Sequence, residues 1–136
     1  MNNLEQTLSI IKPDAVERNL ENEIKEIFKI NGFKLLKEKK IQLEKIEAEK
    51  FYKVHETKPF YNDLCAYLSS GPIVVMVLEK NNAVLANREL MGATNPKDAS
   101  EGTIRKKYGI SIDKNSVHGS DSIENAKIEI NFFFKD

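Results

Sequence analysis

Hydrophobic positions along the chain fall into short runs whose period switches between two and three-to-four. Residues 7–11, TLSII, place Leu8 and Ile10 on one side, the alternation of a strand, and Lys12-Pro13-Asp14 ends it. In ENEIKEIFKIN (21–31) Ile24, Ile27 and Phe28 form a stripe at helical spacing behind an acidic start, and Gly32 follows its end. FKLLKEKKIQL (33–43) returns to alternation, so Phe33, Leu35, Ile41 and Leu43 are expected on one face of a second strand. Two helical stretches are predicted over about 45–56 and 60–69, broken by Gly71-Pro72. IVVMVL (73–78) is apolar at every position, the mark of a central strand covered on both faces.

Asn82 can cap a helix running to about Met91, with Gly92 just beyond. A last helix starts near Asp121 or Ser122, with Asp121 and Glu124 spaced for a capping box and Ile123, Ala126, Ile130 and Phe133 directed at the core. Residues 92–117 hold no long periodic segment and are punctuated by Gly92, Pro96, Gly102 and Gly109. Their mixed apolar and charged content argues for an ordered functional loop. By pattern alone, strands alternating with helices favour a parallel α/β sheet.

Composition narrows the function classes. A length of 136 residues predicts one domain. Lys plus Arg and Asp plus Glu both number 21, so no long-range basic field for nucleic acid or anionic membrane is expected. Attraction for an anion must come from a local cluster. The single cysteine, Cys65, makes no intramolecular disulfide, reads as a buried small hydrophobe and fits a reducing cytosol. The start MNNLEQ lacks the features of a signal peptide, and the apolar runs are too short to cross a bilayer, so a cytoplasmic protein is expected.

The chemistry concentrates in NSVHGSDS (115–122), which holds one of only two histidines. His118 in such a turn is open to three readings: a nucleophile, a metal ligand, or a solvated loop residue. Lys12, Arg88, Thr94, Arg105 and Asn115 fall at element ends or in the long loop. Each alone is an ordinary surface or strand-end residue. Together they supply the forked cations and neutral donors that suit phosphate oxygens, and a neutral imidazole can attack phosphorus. Glu129, eleven residues after His118, can bond the ring and fix its tautomer. Gly119 is expected to leave room for a phosphate, and Ser120 to donate to it. His55 carries no such signal. Neither a P-loop nor a GxGxxG is present.

Four ordered segments, TLSIIKPDAVER (7–18), GPIVVMVLE (71–79), GATNPKDASEGTIR (92–105) and NSVHGSDS, resemble the nucleoside diphosphate kinase family over about residues 4–134. The resemblance implies a single domain over 1–136 with a ferredoxin-like βαββαβ fold of the α+β class. Its sheet would be four-stranded and antiparallel, against the parallel reading of the pattern. It implies a ping-pong kinase that moves the γ-phosphate of a nucleoside triphosphate, usually ATP, to nucleoside diphosphates and so maintains triphosphate pools. His118 would be the phosphorylated nucleophile, supported by Tyr52, Ser120 and Glu129. Lys12, Arg88, Thr94, Arg105 and Asn115 would contact phosphate and sugar, and Phe60 would stack on the base. Mg²⁺ would arrive on the nucleotide, and the chain would form a homo-oligomer, tetramer or hexamer.

The sequence departs from the family's usual pattern at Asn19, where glycine is common, at Leu78, where tryptophan is common, and at Lys106-Lys107. It also stops at FFFKD, before the longer tail of many relatives. A nucleotide-binding relative without transfer activity would be expected to lack His118 or a phosphate cation, and all are present. An RNA-binding module would need aromatics on its central strands and a basic face.

Overall fold

The computed structural model describes residues 4–112 and 114–134; expectations placed on the first three residues and the last two lie outside that range. Strand β1 (Leu4–Ile11) leads through Lys12 into the short helix α1 (Pro13–Glu17), with proline in the first turn where its missing N–H costs nothing. Helix α2 (Glu21–Ile30) packs Ile24 and Phe28 inward, and β2 (Lys34–Ile41) follows. Helices α3 (Lys45–Phe51) and α4 (Tyr61–Leu68) form a hairpin around a 3₁₀ turn at Lys53–His55. Strand β3 (Ile73–Asn81), α5 (Ala83–Met91), α6 (Ile104–Tyr108), β4 (Val117–Gly119) and α7 (Ile123–Phe133) complete the chain.

The four strands lie in the order β2-β3-β1-β4, and every pair is antiparallel. The sheet is therefore the ferredoxin-like one that the resemblance implies, and the parallel sheet drawn from the pattern is wrong. The physical source of the error is β3. Its Val74, Met76 and Leu78 join a core with α1, α2, α5 and α6, while Ile73 and Val75 join a second core with α3, α4 and α7. Burial on both faces yields the unbroken apolar run of a parallel strand in a sheet that is antiparallel.

Strand β2 corrects a second expectation. A bulge lies between Leu35 and Lys37, where Leu35 pairs Leu78 and Lys37 pairs Val77. One inserted residue turns every later side chain to the other face. Phe33 and Leu35 therefore pack in the first core, and Ile41 and Leu43 in the second.

At α7 the N-cap is Ser122, whose hydroxyl accepts from the Asn125 N–H at 3.0 Å, while Asp121 takes the Asn125 side chain at 2.6 Å. The Asp121–Glu124 box is thus replaced by a cap one residue later. Ile123 is 49% exposed, whereas Ala126 and Phe133 are buried as expected. Asn82 caps α5 in the left-handed region (φ +55°), with no capping bond from its side chain. Asn19 also takes positive φ (+60°), one of the conformations asparagine tolerates best after glycine. Within the long loop, α6 escaped the periodicity because it spans five residues; Thr103 starts it by accepting from the Lys106 N–H at 3.3 Å.

Candidate active site

The site is built at the C-terminal end of β1 and along the short edge strand β4. His118 pairs with Ile10, and Ile10 faces the second core, so the imidazole points toward α3 and α7. Phe51 meets it edge-on at 5.4 Å and Tyr52 at 6.4 Å between ring centroids. Phe51 in turn packs on Phe132 and Phe133 of α7 at 5.6 and 5.2 Å. Phe51 was not singled out in the sequence. Its only signal there is adjacency to Tyr52, on a helix whose apolar phase is short.

Two turns into α7, Glu129 places Oε1 2.9 Å from His118 Nε2. The same oxygen accepts from the Ser120 hydroxyl at 3.0 Å. Ser120 is fully buried, and its hydroxyl also accepts from the Leu8 N–H at 3.3 Å, while its own N–H donates to the Leu8 carbonyl at 3.2 Å. Its one proton is thus committed to Glu129 and is not aimed at a phosphate. A carboxylate accepts, so the ring nitrogen facing it carries the proton, and the neutral imidazole keeps its lone pair on Nδ1. Tyr52 is buried, and burial first and the Glu129 charge second push its phenol far above the usual range.

Lys12 and Arg105 are tied to the segment that leads into His118. Lys12, just past β1, is buried and donates from Nζ to Asn115 Oδ1 at 2.8 Å. Asn115 donates in turn to the Thr94 carbonyl at 3.0 Å. Arg105 in α6 donates to the carbonyls of Gly92 at 3.0 Å and Val117 at 2.9 Å. Burial first, and then the neighbouring Arg88 charge, bring its guanidinium down to about 10, so it remains a cation at neutral pH. Arg88, Thr94, Gly92 and Arg105 line a hollow of about 450 Å³. Its shape depends on Gly92, which has φ +87° and lies where a Cβ would come within 2.6 Å of the Thr103 hydroxyl.

A second hollow of about 390 Å³ is lined by Tyr52, Lys53, His55, His118, Asp121 and Glu129. Phe60 lines neither hollow. It stands 46% exposed at the start of α4, with the Lys58 ammonium 5.7 Å from its ring and His55 at 6.3 Å. His55, which carried no signal in the sequence, therefore belongs to the same cleft as His118. Burial first, and the Lys58 charge next, lower its pKa from 6.5, with Asp121 opposing.

Gly119 corrects another expectation. A Cβ there would meet Met91 Cε at 2.7 Å and Asn87 Nδ2 more closely still. The missing side chain makes room for α5 on the far face of β4, not for a phosphate beside the ring. Asn87 is fully buried there, and its amide has no hydrogen-bond partner among the described residues.

Among the described residues, no helix is long and apolar enough to cross a membrane. Comparison with known proteins shows the family. A family model described as nucleoside diphosphate kinase matches residues 5–136. The nucleoside diphosphate kinase of Campylobacter fetus is 59% identical over 131 residues, covering 96% of each chain. That of Nitratiruptor is 60% identical over 131 residues, again covering 96% of each. Among solved structures, the Aquifex aeolicus nucleoside diphosphate kinase superimposes with a TM-score of 0.96 at 38% identity, covering 97% of this chain and 96% of that one. The enzyme from Encephalitozoon cuniculi superimposes with a TM-score of 0.93 at 39% identity, covering 97% and 90%. The chain belongs to the nucleoside diphosphate kinase family and is a phosphotransferase.

Proposed function

We propose that the chain moves the γ-phosphoryl group of a nucleoside triphosphate, usually ATP, to a nucleoside diphosphate through a phosphohistidine on His118. The observation that carries the assignment is the 2.9 Å contact between His118 Nε2 and Glu129, which leaves Nδ1 as the nucleophilic nitrogen. The Nδ1 lone pair forms a bond to the γ-phosphorus as the bond to the β–γ bridging oxygen breaks, and the nucleoside diphosphate leaves. A second diphosphate enters the same cleft and takes the phosphoryl group back by the reverse path. The ring becomes cationic when phosphorylated, and the Glu129 carboxylate on its other nitrogen stabilises that charge.

Lys12, Arg88 and Arg105 offset the negative charge spread over the equatorial oxygens, the main catalytic requirement of phosphoryl transfer. Asn115 and Thr94 orient phosphate and sugar, and Tyr52 and Ser120 support the ring. Phe60 offers an exposed face for the base. Stacking tolerates any base, which suits broad nucleotide choice. Mg²⁺ enters as part of the substrate, on the nucleotide phosphates; Arg88, Thr94 and Arg105 offer donors for phosphate oxygens in a hollow whose wall also carries Glu89 and Asp98.

The protein works in the cytoplasm as a single domain over 1–136 and assembles as a homo-oligomer, tetramer or hexamer. The outer position of β2 in the sheet supports assembly, since an edge strand is open to pairing with a second copy.

The test is incubation with γ-labelled ATP and Mg²⁺ without acceptor, followed by GDP. Acid-labile label on the protein that chases onto GDP, and is absent from His118→Ala, supports the reading. Nucleotide binding without label refutes it and leaves a nucleotide-binding relative.

A further inference from the structure

The backbone is strained two residues before His118. Ser116 has φ +74°, and the Val117 N–H donates to the Asn115 carbonyl at 2.9 Å across that single residue. This is a γ-turn of the rare, strained hand. A strained turn persists only where its surroundings over-determine it, and here they do so through one carboxylate. Asp14 Oδ2 accepts from the Ser116 hydroxyl at 3.1 Å and from Arg18 at 3.2 Å. Its other oxygen accepts from the Tyr67 phenol, and the Asp14 N–H donates back to that phenol oxygen at 2.8 Å. Arg18 also donates to the Tyr108 carbonyl at 2.6 Å and to the Ser116 hydroxyl at 3.3 Å. The Lys12 N–H grips the Ser116 carbonyl at 2.8 Å. The Asp14 side chain is 3% exposed, so these donors replace its water.

The turn stands at the junction of the site. Asn115 on one side holds the Lys12 ammonium, and Val117 on the other takes Arg105 on its carbonyl, with His118 next. Tyr67 lies in the last turn of α4, the helix that Phe60 directly precedes. One carboxylate therefore joins the hairpin bearing the exposed aromatic to the turn that leads into the strand of His118. Stability alone would favour glycine at residue 116, because glycine takes positive φ without strain. The serine there accepts backbone strain and gains a hydroxyl bond to Asp14.

We infer that Asp14 and Ser116 are positioning residues for phosphoryl transfer: the Asp14 carboxylate, anchored to α4 by Tyr67, holds Ser116 in its strained turn and so sets His118 and Asn115 against the Lys12 ammonium. The inference rests on the phosphohistidine reading above. Neither residue touches the reacting atoms; they act through the turn.

The decisive variant is Ser116→Gly, which relieves the backbone and removes the hydroxyl together. Single-turnover phosphorylation of His118 by ATP and Mg²⁺ is followed by rapid quench, beside a thermal melt of the same protein. The expected result is a melting temperature held or raised while phosphorylation slows by about tenfold or more, since a misplacement of about 1 Å can cost about 100-fold. Tyr67→Phe and Asp14→Asn should slow the same step, and Ser116→Gly keeps the test valid where Asp14→Asn fails to fold. Phosphorylation of Ser116→Gly at the parent rate would overturn the positioning role and leave the kinase reading intact. Slowing that comes with a lowered melting temperature would also overturn it, by making the turn merely structural. Absence of phosphohistidine in the parent protein would instead refute the kinase reading itself.

Discussion

Gly119→Ala separates two explanations of the glycine beside His118. The added methyl would sit 2.7 Å from Met91 Cε and 3.0 Å from its sulfur, and nearer still to the Asn87 amide. Those distances are below van der Waals contact, and the neighbours are fully or nearly fully buried between α5 and the sheet. Met91 can swing aside; Asn87 is enclosed. Overpacking of this kind costs about 1–3 kcal/mol. For a chain of this size that is about 3–5 °C of melting temperature per kcal/mol, so a drop near 8 °C is expected. Urea unfolding of Gly119→Ala, Asn87→Ala and the double variant measures the cause. If the clash is with Asn87, the double variant should be more stable than the sum of the singles by about 1 kcal/mol, as contacting residues couple. Gly119→Ala within 0.5 kcal/mol of the parent, the size of an ordinary surface change, together with weakened phosphate binding, would refute this packing argument and restore the reading of Gly119 as space for a phosphate.

Three further outcomes follow from the same geometry. Glu129→Gln keeps a hydrogen-bond acceptor for His118 but loses the charge that stabilises the phosphorylated ring, so rapid-quench phosphorylation should slow by about 10–100-fold with the fold retained. Arg105→Met removes a buried cation held by two carbonyls and resembles it in volume; chemical denaturation should show equal or greater stability, while nucleotide affinity by calorimetry should fall at least about tenfold, as for a charge kept for function. His55 has its folded pKa lowered below 6.5 by burial and then by Lys58, so the unfolded chain takes up that proton first as pH falls. Its contribution to stability is therefore present above 6.5 and shrinks as pH falls below it, and His55→Gln should flatten that part of the stability–pH curve.

Much of this site was legible because its parts are punctuated by residues with one dominant use. The Lys-Pro pair marks the end of β1, the Asn-x-x-His-Gly-Ser run marks the turn into α7, and Gly92 and Gly102 bracket the loop that carries Thr94. The strand order was legible only through resemblance. Strand β4 is three residues long and contains His118 and Gly119, so it has no hydrophobic period to read. The bulge in β2 defeated alternation because Leu36 is apolar like Leu35 before it, and nothing local says which residue is the extra one. His55 and Phe51 were missed for a different reason. Their roles come from the folding of the α3–α4 hairpin over β4, a contact between residues more than sixty positions apart. Asp14 and Ser116 look like ordinary turn residues until the sheet brings α1 against the loop before His118.

In the proposed mechanism Glu129 holds the Nε2 proton of His118 and leaves Nδ1 to carry the phosphoryl group. The most direct measurement is long-range ¹⁵N–¹H correlation NMR of the protein labelled at histidine nitrogen, before and after reaction with ATP and Mg²⁺. One histidine should change, it should be the one absent from His118→Ala, and phosphorus should reside on Nδ1 with Nε2 still protonated. Phosphorus on Nε2, or on the other histidine, His55, would contradict it.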